Sequence, residues 1–151
     1  MLYRHSIVLS LYVLARCLYL SGTRICSEFS CYLLVETVQS WDAAKDHCES
    51  LGGFLADIKS QEEQEFLDKT LLSKSSIASD NVWIGGTDCE EEGVFVWLDG
   101  TSVASGYVNW IPGDPNNGLN AEHCMETFRY HNNKWNDKKC SEQRASICEF
   151  K

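Results

Sequence analysis

Short apolar runs separated by turn residues predict most of the strands in this chain. Their length and their β-branched or aromatic content are typical of strands. The runs are residues 31–35, 54–58, 82–85, 94–98, 124–128 and 146–150. Asp99-Gly100 and Asn132-Asn133 are turn sequences that end or separate them.

Two helices are predicted in the first half of the chain. Ser40 caps the first helix, and Gly52-Gly53 ends it. Its apolar face, spaced by three, four and three residues, is Trp41, Ala44, Cys48 and Leu51. Ser60 and Glu63 form a capping box for the second helix. Its core-facing residues are Phe66, Leu67 and Leu71. Helices early and strands late predict an α+β domain.

Two stretches lack this periodicity. Residues 73–81 form a polar, Ser-rich linker, and residues 101–121 are rich in Gly, Asn and Pro. A long loop without regular structure inside a compact domain is usually functional. We therefore expect the second stretch to carry the site.

The first 22 residues have the plan of a secretory signal. Arg4 and His5 precede an apolar run, residues 7–20, which Arg16 interrupts and which Ser21-Gly22 follows. A membrane anchor is the alternative, but the run is shorter than the roughly 20 residues of a spanning helix. We predict a signal peptide at residues 1–22 and one secreted domain at residues 23–151.

The net charge of the 151 residues is -9. An acidic chain has no electrostatic footprint for nucleic acid. Most of the acids are expected to form a solvated surface, and some are expected to hold a cation.

Eight cysteines are present, of which Cys17 lies in the leader. Seven cysteines in a secreted chain of this size predict a disulfide framework with one thiol left over. Six cysteines allow fifteen pairings. Zinc is a weak alternative, because no Cys-x-x-Cys pair occurs.

Hard oxygen ligands are concentrated between residues 109 and 137. Carboxylates and carboxamides are the groups that calcium takes in sets of six to eight. They are Asp114, Asn116, Asn117, Glu122, Asn136 and Asp137. The sequence therefore predicts one calcium site built from two segments of the chain.

The chain from residue 31 to residue 151 resembles the C-type lectin carbohydrate-recognition domain. The motifs that carry the likeness are Cys31-Tyr32, the helix at residues 41–48, residues 51–56, Trp83-Ile84-Gly85-Gly86, Trp97-Leu98-Asp99-Gly100, Asn109-Trp110, Asp114-Pro115-Asn116, Trp135-Asn136-Asp137 and Cys148-Glu149-Phe150. Gly86 stands where the family more often has Leu. A single domain behind a signal peptide is most similar to small secreted lectins of invertebrates.

The resemblance implies a disulfide framework. Its pairs are Cys48–Cys148, Cys124–Cys140 and the amino-terminal Cys26–Cys31. Cys89 has no partner in the family, and we expect it to be exposed and able to link two chains as a disulfide-bonded homodimer.

The resemblance also implies a calcium ion that binds sugar directly. The residues implied to bind both the calcium ion and the sugar are Asp114, Asn116, Glu122, Asn136 and Asp137. The peptide bond before Pro115 is implied to be cis. The order of acid first and amide second matches the mannose type, although Asp114 stands where the family usually has Glu. A second calcium site is implied by Asp88, Glu92, Asn117 and Glu122, with Asn117 and His123 replacing acids often found there.

Three hypotheses follow for the function. The first is a secreted, calcium-dependent lectin for mannose, glucose or fucose glycans in innate defence or agglutination, without membrane insertion. The second is a matrix-associated or mineral-associated protein of the same fold that acts through its acidic surface. A hydrolase is the third and has little support, because His123 and His131 lack a base–nucleophile arrangement; they are expected to be solvated or satisfied.

Overall fold

A computed structural model describes residues 23–73 and 81–151. The predicted signal peptide and most of the predicted linker, residues 74–80, lie outside the described residues. The strands are β1 (Ile25–Cys26), β2 (Cys31–Gln39), β3 (Phe54–Leu55), β4 (Asn81–Thr87), β5 (Cys124–Phe128), β6 (Lys134–Lys138) and β7 (Arg144–Phe150). The helices are α1 (Trp41–Ser50) and α2 (Gln61–Leu67), and a π-helical turn, Asp68–Leu72, continues α2.

The strands form one sheet in the order β1-β2-β7-β4-β5-β6, and β3 also pairs with β7. β4 and β7 run parallel, whereas the other described pairs are antiparallel. The predicted α+β class is confirmed. β5 and β6, at one end of this order, support the long loop that carries the predicted site.

Both helices begin where the sequence predicts. The Ser40 side chain accepts a hydrogen bond from the Ala43 N–H, and the Ser60 side chain accepts one from the Glu63 N–H. These bonds satisfy amide groups that lack partners in the first turn of a helix. Three residues of the predicted apolar face of α1 are buried, Trp41, Ala44 and Cys48, whereas the fourth, Leu51, caps the helix and is half-buried.

The strand predicted at residues 94–98 is wrong. This segment forms only isolated bridges among the described residues, from Val96 to Thr87 and from Val96 to Ser102. The Trp97 N–H donates to the Thr101 carbonyl, so the chain reverses before a ladder can extend. The apolar side chains of this segment serve the core, since Phe95 and Trp97 are buried.

Three disulfides join the elements, and they are the pairs that the resemblance implies. Cys48–Cys148 ties α1 to β7, and Cys124–Cys140 ties β5 to the segment after β6. Cys26–Cys31 joins β1 to β2. Cys89 is the free, exposed cysteine among those described. The bond between α1 and β7 closes the longest of these loops, and long loops gain most from a cross-link in the chain-entropy model.

No helix in the described residues is long and apolar enough to cross a membrane.

Candidate calcium site

The long loop is anchored to the first residues of β6. The Trp135 N–H donates to the Asn109 carbonyl at 2.8 Å, and the Ile111 N–H donates to the Trp135 carbonyl at 2.9 Å. Trp135 is fully buried, and the rings of Trp97, Tyr107 and Trp110 contact it edge-on at centroid distances of 5.5, 5.6 and 5.9 Å. Edge-to-face packing of this kind is favourable beyond simple burial. It fixes where the loop leaves the core.

Asp137 holds the loop a second time, at its tip. Its carboxylate is 1% exposed and accepts hydrogen bonds from two consecutive backbone amides, those of Asn116 at 3.0 Å and Asn117 at 2.7 Å. These amides follow the Asp114–Pro115 peptide bond, which is cis as the resemblance implies. Asp137 therefore places the Asp-Pro-Asn tripeptide beside the end of β6.

Asp114 and Asn116 lie side by side on this tip, because the Asn116 side-chain amide donates to Asp114 Oδ1. Partial burial is the main reason that the pKa of Asp114 is raised, and the charges of Asp137 and Glu122 raise it further. The negative charges of Asp137 and Glu122 therefore disfavour the ionised form of Asp114. A cation among them would relieve that repulsion, so the donor set fits calcium.

Glu122 is oriented by the turn that precedes it. Its Oε2 accepts from the Gly118 N–H at 3.1 Å, and its own N–H donates to Asn117 Oδ1. A Cβ at Gly118 would lie 2.7 Å from Glu122 Oε2, so glycine is what permits this close approach. The other carboxylate oxygen, Oε1, lies 2.6 Å from Nζ of Lys138. Both oxygens of this predicted ligand therefore have partners within the chain.

Asn136 is held from the neighbouring strand. It pairs with Glu126 across β5 and β6, and its side-chain amide donates to Glu126 Oε1 at 2.9 Å. Glu126 is buried and also receives a bond from Arg144 Nε at 3.0 Å. One amide hydrogen of Asn136 is donated to Glu126, which orients the side chain, and its carbonyl oxygen is the atom that suits a cation.

The four residues of the predicted second calcium site take part in two separate sets of contacts. Asp88 Oδ1 and Glu92 Oε2 lie 3.0 and 3.3 Å from Nδ1 of His123. Asn117 and Glu122 bond to each other and to the long loop instead. His123 is satisfied by its acidic neighbours, as the sequence predicts for its histidines.

Lys138 and Glu126 are the site residues that sequence reasoning missed. Residues of β6 alternate between buried and partly exposed, and Lys138 is two residues beyond Asn136 on the partly exposed face. That alternation is visible in the sequence. The partner of Lys138 is not, because Glu122 lies on a different segment.

The model of the Lectin C-type domain family matches residues 37–150. Ladderlectin of Oncorhynchus mykiss is 38% identical over 110 residues, which is 73% of this chain and 56% of ladderlectin. The low affinity immunoglobulin epsilon Fc receptor of Mus musculus is 41% identical over 120 residues, 79% of this chain and 33% of the receptor. The galactose-specific lectin nattectin of Thalassophryne nattereri is 34% identical over 118 residues, 78% of this chain and 72% of nattectin. The chain thus spans about half of ladderlectin and a third of the receptor.

Solved structures give the same result. The mouse scavenger receptor C-type lectin carbohydrate-recognition domain has a TM-score of 0.74 at 32% identity, covering 85% of this chain and 93% of that one. A calcium-independent type II antifreeze protein has a TM-score of 0.69 at 32% identity, covering 85% and 96%. The fold is thus shared by proteins described as lectins and by one described as independent of calcium. On its sequence and its fold together, this chain belongs to the Lectin C-type domain family.

Proposed function

We propose that this protein is a secreted, calcium-dependent lectin that binds mannose-type glycans and has no catalytic activity. One observation carries the proposal: the buried carboxylate of Asp137 holds the backbone amides of Asn116 and Asn117, and so keeps Asp114 and Asn116 at the tip of the loop. The loop is held in this way by contacts within the chain. The ligand side chains are therefore organised before a ligand arrives, which lowers the entropic cost of binding.

The donor and acceptor types of these side chains suit a pair of neighbouring hydroxyls. A bound calcium ion would supply a positive centre for the oxygen atoms of both. Asp114 and Glu122 accept hydrogen bonds only, whereas Asn116 and Asn136 also donate. A hydroxyl both donates and accepts, so it is satisfied between one acid and one amide. Acid at residue 114 and amide at residue 116 support mannose, glucose or fucose as the preferred sugar.

Retention on immobilised mannose tests the proposal. The protein should be retained in millimolar calcium and eluted by a chelator, and Glu122→Gln should pass through the resin. The matched control is Glu142→Gln, which makes the same change at an exposed residue after β6 and should be retained. Retention of the wild type that survives excess chelator would overturn the proposed mechanism.

A calcium-independent role is the second candidate, and Lys138 favours it. Its ammonium group neutralises Glu122 within the chain, so part of the negative charge of the predicted calcium ligands is balanced without a metal. The domain would then act through its acidic surface, as a matrix-associated or mineral-associated protein. A fold that melts at the same temperature with calcium and with chelator, and no retention on any sugar resin, would favour this candidate.

A further inference from the structure

A cleft of about 570 Å³ lies among the turn between β1 and β2, the start of α2 and the end of β7. In the strand order, β1, β2 and β7 are at the end away from β5 and β6, which support the long loop. The described residues that line the cleft include none of the five predicted calcium ligands. Sites for small molecules usually have volumes of about 300–1,000 Å³. The cleft is therefore a candidate for a second ligand site.

The lining of the cleft carries more acids than bases. Lys59 and Lys151 are its two lysines among the described residues. Its five acids are Glu28, Asp57, Glu62, Glu63 and Glu149. A concave surface with an excess of one charge attracts ligands of the opposite charge. The cleft therefore favours a cation.

Two buried carboxylates form the floor of the cleft. Asp57 and Glu149 are each 2% exposed, and Glu149 Oε2 accepts from the Asp57 N–H at 3.2 Å. Glu149 Oε1 accepts from the Ser30 hydroxyl at 2.7 Å. The carboxylate oxygens of Asp57, in contrast, accept no hydrogen bond from the described residues. A buried acceptor without a donor is costly, and a ligand with N–H groups would supply the donor.

The two lysines balance these carboxylates only in part. Lys59 Nζ lies 3.4 Å from Asp57 Oδ2 but also pairs with Asp99, so its charge is shared. Lys151 Nζ lies 3.9 Å from Glu149 Oε1, and its side chain is 57% exposed. Burial is the main reason that the pKa values of Asp57 and Glu149 are raised. The charged forms of both carboxyls are thus disfavoured, and a bound cation would stabilise them.

Aromatic side chains give the cleft an apolar wall. Phe66 of α2 lies against Tyr32 with ring centroids 5.9 Å apart, and both line the cleft. Phe29, also in the lining, is 81% exposed on the turn between β1 and β2. The Cys26–Cys31 disulfide closes this turn, and the Ser27 hydroxyl accepts from the Phe29 N–H. Aromatic rings both pack against an apolar group and attract a neighbouring cation.

We propose that this cleft binds a small organic cation, an ammonium group joined to an aromatic or aliphatic group. The ammonium group donates hydrogen bonds to Asp57 and Glu149, and the apolar group lies against Phe29 and Phe66. An ammonium group has three N–H donors, enough for both carboxylates. The site is independent of the proposed calcium-dependent lectin function. The competing explanation is that water fills the cleft and satisfies Asp57.

Calorimetric titration of the full-length protein with 2-phenylethylammonium chloride, in millimolar calcium, tests the proposal. The wild type should bind one molecule, and Asp57→Asn should weaken binding at least about tenfold, because a hydrogen bond to a charged group is stronger than one to a neutral group. This substitution keeps the shape of the side chain and removes its charge. The matched control is Asp42→Asn, at an exposed residue of α1, which should bind as tightly as the wild type.

A lysine variant should change the affinity in the opposite direction. Lys151→Met removes a positive charge that competes for Glu149, so the amine should bind more tightly. Lys139→Met, at an exposed residue after β6, makes the same change in net charge away from the cleft and should leave the affinity unchanged. Equal affinities in Lys151→Met and Lys139→Met would contradict the role given to Glu149.

The ligand itself can be divided into its two groups. 2-Phenylethanol has the ring without the charge, and methylammonium has the charge without the ring; each should bind at least about tenfold more weakly than the amine. Phe29→Ala should weaken binding of the amine about threefold. Tyr130→Ala, at another exposed aromatic residue, should leave it unchanged.

This proposal and the lectin proposal can fail separately, because Glu122→Gln should lose calcium-dependent sugar binding and still bind the amine as the wild type does. A wild type that binds no amine at millimolar concentration would overturn the proposal in favour of a water-filled cleft. It is equally wrong if 2-phenylethanol binds as tightly as the amine, or if Asp57→Asn and Asp42→Asn bind the amine alike.

Discussion

Nζ of Lys138 lies 2.6 Å from Oε1 of Glu122, one of the five predicted calcium ligands. The hydrogen bond to this carboxylate raises the pKa of Lys138, so the lysine is charged at neutral pH. A fixed positive charge therefore contacts a residue that the proposed calcium ion would need. It stabilises the site without metal and opposes the entry of a second cation.

Removing this charge should strengthen calcium binding. Lys138→Met keeps the aliphatic part of the side chain and deletes the ammonium group, so Glu122 should bind the ion without competition. We expect a calcium dissociation constant about 3 to 10 times lower, equivalent to roughly 1 kcal/mol. Calorimetry with calcium measures it. Lys139→Met, at an exposed neighbouring residue, is the control for the change in net charge. Equal affinities in Lys138→Met and the wild type would mean that the ion pair does not compete with the metal.

Asp137 and Asp114 should differ in their effect on the metal-free protein. Asp137→Ala removes the buried acceptor of two backbone hydrogen bonds and should lower the free energy of unfolding by about 1–3 kcal/mol in chelator. Asp114→Ala, on the exposed tip, should change it by less than about 0.5 kcal/mol. Both variants should lose calcium-dependent sugar binding. Urea unfolding in chelator measures the free energy of unfolding of each variant. Equal values for Asp137→Ala and Asp114→Ala would contradict the anchoring role of Asp137.

Asp57 should make stability depend on pH in mildly acidic solution. It is 2% exposed and pairs with Lys59 at 3.4 Å, but its carboxylate oxygens accept no hydrogen bond from the described residues. Burial is the main reason that its pKa rises to about 6 from the usual 3.8. At a pH between 3.8 and about 6 the Asp57 carboxyl is protonated in the folded state and ionised in the unfolded state. The stability that this proton contributes is therefore greatest below the unfolded pKa and is lost as the pH rises through about 6.

The variant Asp57→Asn should remove this dependence. It should be more stable than the wild type above pH 6, by about 3 kcal/mol at most, and the difference should shrink towards zero near pH 4. Thermal unfolding from pH 4 to pH 8 in chelator measures the difference without interference from calcium. Asp42→Asn, at an exposed residue of α1, is the control. A difference that stays constant with pH would show that Asp57 does not titrate in this range.

Cys89 should be the thiol that links two chains. It is exposed and free, and its Sγ lies within 4.8 Å of the sulfurs of Cys124 and Cys140. Non-reducing gels should show a dimer that Cys89→Ser removes. A dimer that persists in this variant would mean that another cysteine is unpaired. Peptide mapping of the wild-type dimer should find Cys89 in the bond between chains. Cys124 or Cys140 in that bond would mean that Cys89 has exchanged with their disulfide, as a thiol this close is placed to do.

Exchanging the acid and the amide should change the sugar preference. Asp114→Gln with Asn116→Asp keeps one acid and one amide, so calcium should still bind. The hydrogen-bond polarity seen by the two hydroxyls is reversed, and by resemblance to the family the preference should move towards galactose. Unpaired polar groups cost roughly 1–3 kcal/mol, enough to change a ranking. Competition by free monosaccharides at saturating calcium measures it. A wild type that already prefers galactose, or a double variant that keeps the wild-type ranking, would contradict the argument.

The sequence by itself determined the features that depend on neighbouring residues. Ser40 and Ser60 cap their helices because a cap needs a side chain and an amide only three residues apart. The buried face of α1 and the strand at residues 124–128 follow from periodicity in the same way. The tripeptide Asp114-Pro115-Asn116 and the residues Trp135-Asn136-Asp137 identified the candidate calcium ligands through the types of oxygen they carry.

Only the tertiary structure decided which side chains meet across the fold. Lys138 lies against Glu122, and His123 lies between Asp88 and Glu92, because the order of strands brings distant segments together. The apolar run at residues 94–98 was predicted as a strand, yet its side chains were needed in the core while its backbone had no long partner. Hydrophobicity follows from a residue's own chemistry. Pairing, burial of a charge and competition for a ligand depend on residues that the sequence places far away.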